Sequence, residues 1–95
     1  MTADIRIEPL GDHEYLVRFP TAGEEITSRF QASETTLDLL RIPGIGEERI
    51  VAETAMFLAR RQPVIDIPPM IDLDDVEAAY GDDYLDEVRS RLSPP

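Results

Sequence analysis

Few side chains of this sequence stand in a context that is typical of acid, base or nucleophilic chemistry. The single histidine, His13, stands between Asp12 and Glu14 in a segment with the composition of a turn. Because neighbouring carboxylates favour the charged imidazolium, which is a poor base at neutral pH, we interpret His13 as an exposed turn residue. The chain has no cysteine, and no serine stands in the pattern of a nucleophile elbow. We therefore predict no catalytic residue and no enzyme activity.

A cluster of carboxylates near the C-terminus could bind a divalent cation. Its members are Asp72, Asp74, Asp75, Glu77, Asp82, Asp83, Asp86 and Glu87. An EF-hand calcium loop needs oxygen ligands at positions 1, 3 and 5, glycine at 6 and glutamate at 12. A loop starting at Asp72 would place valine, glutamate and aspartate at the fifth, sixth and twelfth positions, so the spacing does not fit. We therefore interpret these carboxylates as helix caps and solvated helix faces and predict no metal site and no cofactor. Weak divalent-cation binding remains an alternative, which ranks third after the two functions considered below.

The Pro-Gly-Ile-Gly sequence at residues 43–46 separates two stretches with helical spacing, and we call it the hinge. Apolar residues stand on both sides of it, at Leu39, Leu40, Ile50 and Val51. The segment resembles the helix-hairpin-helix motif, in which hairpin amides and the N-terminus of the second helix hold a nucleic-acid phosphate. That resemblance implies nucleic-acid binding through Gly44, Ile45 and Gly46.

The charges beside the hinge favour a structural role instead. Family members that grip phosphate usually carry a basic residue after the hairpin, whereas Glu47 and Glu48 stand there. Two carboxylates at a helix N-terminus take the electrostatic role that a phosphate would have. We expect the glycines to permit positive φ at a tight turn and Ile45 to plug the core. Nucleic-acid binding is the alternative to that interpretation.

Length and charge limit the other classes of function. The 95 residues, of which 42% are hydrophobic, suffice for one core. We predict a single domain over residues 1–92 and a disordered tail at 93–95. Twenty acidic residues against nine arginines give a net charge of −11, which repels phosphate backbones. No apolar run reaches the roughly 20 residues of a membrane span, and residues 1–6 lack a signal pattern, so we expect a cytoplasmic location.

Alternating apolar residues predict an N-terminal sheet. Residues 5–8, 14–19 and 26–30 show the period of half-buried strands, and turn residues separate them. Together they predict a three-stranded antiparallel meander. Its inner face would carry Ile5, Ile7, Tyr15, Val17, Phe19, Ile26 and Phe30. Because that face needs cover, we predict an α+β fold in which three to four helices cover one face of the sheet.

The helical segments have recognisable starts and stops. A short helix should begin after Ser33, whose hydroxyl can cap it, and end before Pro43. The longest helix should span 47–61, because carboxylates open it, arginines close it and an apolar stripe runs between. Two further helices should be capped by Asp72 and by Asp82.

The layout of the chain resembles that of small uncharacterised prokaryotic single-domain proteins. The features concerned are the strand hairpin, the Pro-Gly break, an acidic helical tail and a helix ending in the residues 57–63, Phe-Leu-Ala-Arg-Arg-Gln-Pro. This resemblance implies one domain and no particular activity.

The apolar run from Val64 to Ile71 contains two prolines and should be extended. It exceeds what so small a core can hide, and exposed apolar surface marks interaction sites. We therefore predict a non-enzymatic protein-interaction or self-associating module. Its partner would be another protein or a second copy of the chain, and neither nucleic acid nor a membrane is expected.

Overall fold

A computed structural model describes residues 5–21, 23–42 and 44–92. The elements in chain order are strands β1 (Arg6–Gly11), β2 (Glu14–Pro20) and β3 (Glu25–Gln31), helices α1 (Glu34–Leu40) and α2 (Glu47–Arg61), a 3-10 turn (Val64–Asp66), strand β4 (Met70–Asp72), and helices α3 (Leu73–Tyr80) and α4 (Asp82–Leu92). The predicted tail at 93–95 lies outside the described residues. Among the described helices, none has an apolar stretch long enough to cross a bilayer.

The sheet has four strands in the order β1-β2-β3-β4. The antiparallel meander of the first three is confirmed, with Ile7 opposite Val17 and Tyr15 opposite Phe30. The prediction of three strands is wrong, because β4 adds to the far edge of β3 in parallel, pairing Ile71 with Phe30. Three residues after a Pro-Pro pair show no alternation that could be read from sequence. Long-range pairing alone makes them a strand.

One cluster of buried side chains unites sheet and helices. Val17, Phe19 and Phe30 from the sheet belong to the same cluster as Val51 and Phe57 of α2. All seven residues assigned to the inner sheet face either belong to this core or pack against it.

The helices cover the sheet only in part, which corrects the predicted cover. Within β1, Ile7 is half-buried and the other five residues are exposed. Helix packing accounts for this, since α2 lies against α4 more extensively than against either β1 or β2. Apolar faces of the helices are thus buried largely against one another.

Helix α2 begins and ends where the sequence predicts, and Ile50, Val51, Thr54, Phe57 and Leu58 of its stripe are buried. The stripe also contains a buried carboxylate, Glu53, which lies 3.3 Å from the guanidinium of Arg60 and 3.8 Å from that of Arg91. Two cationic partners offset the cost of taking this charge out of water.

The caps of the shorter helices differ in outcome. Asp72 caps α3 as predicted, accepting a hydrogen bond of 2.9 Å from the amide of Asp74. Ser33 occupies the N-cap position of α1 but makes no capping hydrogen bond, because its hydroxyl donates to the Asp72 carboxylate instead. At the other end of α1, Arg89 of α4 donates to the carbonyl oxygens of Leu39 and Leu40, at 2.9 and 3.2 Å. These contacts fasten α1 to the C-terminal half of the chain.

Candidate functional site

Two of the described residues between α1 and α2, Arg41 and Gly44, have positive φ. Arg41 ends α1 in the left-handed region, with φ of 46°. Gly44 follows with φ of 78°, a value that glycine adopts without steric cost. Gly46 has φ of −74°, which any residue can adopt, so the expected need for glycine holds at Gly44 alone.

Ile45 is half-buried rather than a core plug, which corrects that expectation. Its neighbours Ile42 and Ile50 are the buried residues, at 9% and 5% exposure. Ile45 packs against the core cluster with one side and lines a surface cavity with the other. Ile45 therefore contributes both to the edge of the core and to the wall of the cavity.

A three-residue polar cluster lies at the start of α2. The Glu47 carboxylate accepts a hydrogen bond of 2.8 Å from the Tyr15 hydroxyl. The Nδ1 atom of His13 lies 2.8 and 3.0 Å from its two oxygens. Because Tyr15 is on β2 and His13 on the preceding turn, the cluster ties the first hairpin to the start of the long helix.

The turn between β1 and β2 aims His13 at the helix. Its two central residues, Asp12 and His13, both have positive φ, at 53° and 64°. Turns of this kind match the twist of the flanking strands, but they favour asparagine and glycine over histidine. The predicted turn position is confirmed, and its imidazole is 60% exposed.

Contact with Glu47 shifts the proton affinities of its partners. The hydrogen bond and the charge of Glu47 raise the pKa of His13 above 6.5, and Asp12 adds the smallest contribution. The charged form is therefore favoured as expected, although the main cause is a residue far away in sequence rather than the neighbouring carboxylates. Burial, followed by the hydrogen bond to Glu47, raises the pKa of Tyr15 to about 12. Tyr15 thus holds its proton at neutral pH, and contact with Glu47 shifts His13 toward its protonated form.

A cavity of about 570 Å³ opens beside this cluster and is lined by Leu37, Arg41, Ile42, Ile45, Glu47 and Ile50. Four of these residues are aliphatic and two carry opposite charges. The sequence prediction missed Glu47 and Arg41 as cavity residues. The signal that could have identified Arg41 is its position at the end of α1 before a Pro-Gly pair, where a left-handed residue is common.

The carboxylates of the C-terminal cluster are dispersed among structural roles. Asp72 caps α3, and Asp74 accepts from the Thr36 hydroxyl. Glu87 forms ion pairs with Arg60 and Arg61, at 2.5 and 3.3 Å. Within residues 5–21, 23–42 and 44–92, no three acidic or histidine side chains converge as metal ligands would.

A second surface, with exposed apolar side chains, lies along β4, and we call it the β4 groove. Its cavity measures about 270 Å³, and its lining includes Leu58, Pro68, Met70, Ile71, Val76 and Tyr80. Met70 is 65% exposed, and Ile65 on the preceding 3-10 turn is 75% exposed.

No protein-family model, curated protein or solved structure matches this chain.

Proposed function

We propose that this domain is a non-enzymatic protein-interaction module and that the β4 groove is its binding surface. The observation that carries the proposal is the exposure of Met70, a large apolar side chain that lines a groove with a largely aliphatic lining. A second exposed apolar side chain, Ile65, precedes the groove residue Asp66 along the chain. Exposed apolar surface of this kind is unfavourable in water, and burying it against a partner lowers the free energy of the complex.

The strand beside the groove determines the shape of the partner. Among the described strands, β4 pairs only with β3 and forms one edge of the sheet. An edge strand can accept an additional strand through backbone hydrogen bonds, while neighbouring pockets take alternate side chains of the added segment. An extended peptide segment therefore fits this surface better than a helix or a globular face.

The charge of the domain selects the chemistry of that segment. Asp66 and Asp75 line the β4 groove, and the whole chain carries a net charge of −11. Such a field attracts basic segments and repels a second copy of the same chain. The partner that we propose is an extended segment of another protein in which apolar and basic residues alternate.

The groups with titratable chemistry support a non-enzymatic role. Contact with Glu47 stabilises the charged form of His13, and burial together with that contact stabilises the neutral form of Tyr15, which disfavours both groups as bases. The nucleic-acid alternative at Gly44, Ile45 and Gly46 is disfavoured, because Glu47 and Glu48 stand at the helix start where a phosphate would bind.

Binding of defined peptides tests the proposal. A peptide of alternating valine and lysine should bind in isothermal titration calorimetry, and its valine-glutamate counterpart should not. Ile65→Ser and Met70→Ser should weaken binding, whereas Leu39→Ser, which removes an exposed leucine outside the β4 groove, should not. Each replaces an exposed side chain, so stability should change by no more than about 0.5 kcal/mol.

Three results would contradict the proposal. Equal binding of both peptides would exclude charge selection by Asp66 and Asp75. Equal losses in all three serine variants would exclude the β4 groove as the site. A concentration-dependent dimer in sedimentation velocity, abolished by Ile65→Ser, would show that a second copy covers the surface.

A further inference from the structure

The cavity beside the hinge, which we call the hinge cavity, is served by two residues with left-handed backbone, Arg41 directly and His13 through Glu47. Within the part of the chain that the structure describes, the residues other than glycine with positive φ are Asp12, His13 and Arg41. The left-handed conformation is unfavourable for any residue with a Cβ, and helices that end in it usually end in glycine. Arg41 lines the cavity, and His13 binds Glu47, which lines it too. Strain of this kind commonly marks positions where a side chain is needed for binding.

The cavity brings two opposite charges to an aliphatic surface. Within the described residues, the Arg41 side chain makes one hydrogen bond, from Nε to the carbonyl oxygen of Asp38 at 3.2 Å, and no ion pair. No hydrogen bond from the described residues engages its two terminal nitrogens, which can hold an anion in a fork. Glu47 retains acceptor capacity, since among the described residues only His13 donates to its Oε2 atom.

We propose that the hinge cavity binds a small zwitterion with an apolar body, of which an aliphatic α-amino acid is the simplest. The ligand's carboxylate accepts hydrogen bonds from Arg41, its ammonium group donates to Glu47, and its side chain packs against Leu37, Ile45 and Ile50. A volume of about 570 Å³ lies within the range of about 300–1,000 Å³ that small-molecule sites occupy. This site is separate from the β4 groove and does not depend on the peptide partner.

The hairpin residues position the acidic half of the site. Tyr15 and His13 both donate to Glu47 and fix its carboxylate at the start of α2. A carboxylate already held in place loses less side-chain entropy when the ammonium group binds. His13 and Tyr15 are therefore positioning residues, while Arg41 and Glu47 contact the ligand.

Three related ligands test recognition of both charges. Leucine should bind in calorimetry and should shift the NMR resonances of the amides of residues 44–47. Isocaproate lacks the ammonium group and isoamylamine lacks the carboxylate, so each should bind at least about tenfold more weakly than leucine. Absence of leucine binding, or isocaproate binding as tightly as leucine, would overturn the proposal.

Variants at the two charged residues separate binding from folding. Arg41→Gly removes the guanidinium and relieves the left-handed strain, so leucine binding should be lost while Tm rises. Arg41→Lys keeps a positive charge and should retain part of the affinity. Glu47→Gln should weaken leucine binding at least about tenfold, since it removes the charge that holds the ammonium group.

The neighbouring carboxylate provides the matched control. Glu48→Gln removes an equal charge from the same helix turn without touching the cavity, and should leave leucine affinity unchanged. Equal weakening by Glu47→Gln and Glu48→Gln would mean that only the general field of the helix start matters. Unaltered leucine binding in Arg41→Gly would likewise exclude the proposed contact with the carboxylate.

Discussion

At the scale of single residues, the end of α1 is held in a conformation that its side chain does not favour. Arg41 has φ of 46° and ψ of 58°, the left-handed values that usually belong to glycine after a helix. Its amide still donates to the carbonyl oxygen of Leu37 at 3.1 Å, so the helix end is satisfied although the backbone is strained. The cost is conformational rather than a lost hydrogen bond.

Relief of that strain is measurable. Arg41→Gly should increase the free energy of unfolding in urea by about 1 kcal/mol, because the left-handed conformation costs an ordinary residue about 1–2 kcal/mol and the unfolded chain gains some entropy. Arg49→Gly is the control, since the same substitution inside α2 should lower stability by about 1 kcal/mol. A loss of stability in Arg41→Gly would show that packing by the arginine stem outweighs the strain.

The proton on His13 links pH to stability. Because contact with Glu47 raises the folded-state pKa above the unfolded value of 6.5, the folded state holds the proton more tightly. This contribution is fully present below pH 6.5 and is lost as the pH rises through the folded-state pKa. NMR titration of the imidazole should therefore give a pKa above 6.5, and unfolding free energy should fall across that range.

Two substitutions identify the cause of this pKa shift. Glu47→Gln should return the pKa of His13 most of the way to 6.5, because Glu47 provides the two largest contributions. Asp12→Asn should have a much smaller effect, since Asp12 contributes least. A larger effect from Asp12→Asn would mean that the adjacent carboxylate, and not the distant one, sets the charge of the histidine.

At the scale of elements, three isoleucines in and beside the hinge differ in burial. Ile42 and Ile50 are 9% and 5% exposed, whereas Ile45 is half-buried and lines the cavity. Both helices adjoining the hinge are therefore held by the flanking residues, and the central one is shared between core and surface.

Alanine substitutions should follow that order. Ile45→Ala should cost about 1–2 kcal/mol in urea unfolding, less than the roughly 2–5 kcal/mol of a fully buried aliphatic truncation, which we expect for Ile50→Ala. Ile65→Ala, at a residue that is 75% exposed, should stay within about 0.5 kcal/mol of the wild type. A neutral Ile45→Ala would place this side chain at an exposed hairpin tip, as the helix-hairpin-helix interpretation requires.

At the scale of the whole molecule, carboxylates outnumber cationic partners. Ion pairs engage several arginines, including Arg18 with Glu8 and Glu25 at 3.2 Å, yet the chain carries 20 acidic residues and nine arginines. Exposed pairs of this kind contribute little to stability. The unpaired negative charges therefore repel one another across the folded domain.

Added salt should stabilise the fold. At about 0.01 M salt the Debye length is about 30 Å, comparable to the longest dimension of the molecule, 37 Å, and at about 0.1 M it falls to about 10 Å. Calorimetric Tm should rise by several degrees across this range, since each kcal/mol gained shifts Tm by about 4–8 °C in a domain of this size. A flat or falling Tm would show that local ion pairs already neutralise the repulsion.

What the sequence determined by itself is local. The bounds of α2, the alternation that selects the inner face of the meander and the Asp72 cap all depend on residues within one or two turns of each other. Helical spacing, strand alternation and side-chain caps need no distant partner, so they can be read from neighbours along the chain. The predicted Ser33 cap is wrong because a distant residue intervenes: the hydroxyl donates to the carboxylate of Asp72, 39 residues away.

What only the tertiary structure decided involves partners far apart in sequence. The pairing of β4 with β3 and the meeting of His13, Tyr15 and Glu47 join residues about 30–40 positions apart. No local pattern encodes such pairs, because each polar side chain can hydrogen-bond to water equally well. Its partner is decided only when the core packs and places the two residues side by side. Packing of α2 on the first hairpin places Glu47 beside His13 and forms the cavity next to Arg41. The pairing of β4 with β3 forms the sheet edge beside the β4 groove. The tertiary fold thus creates both candidate sites.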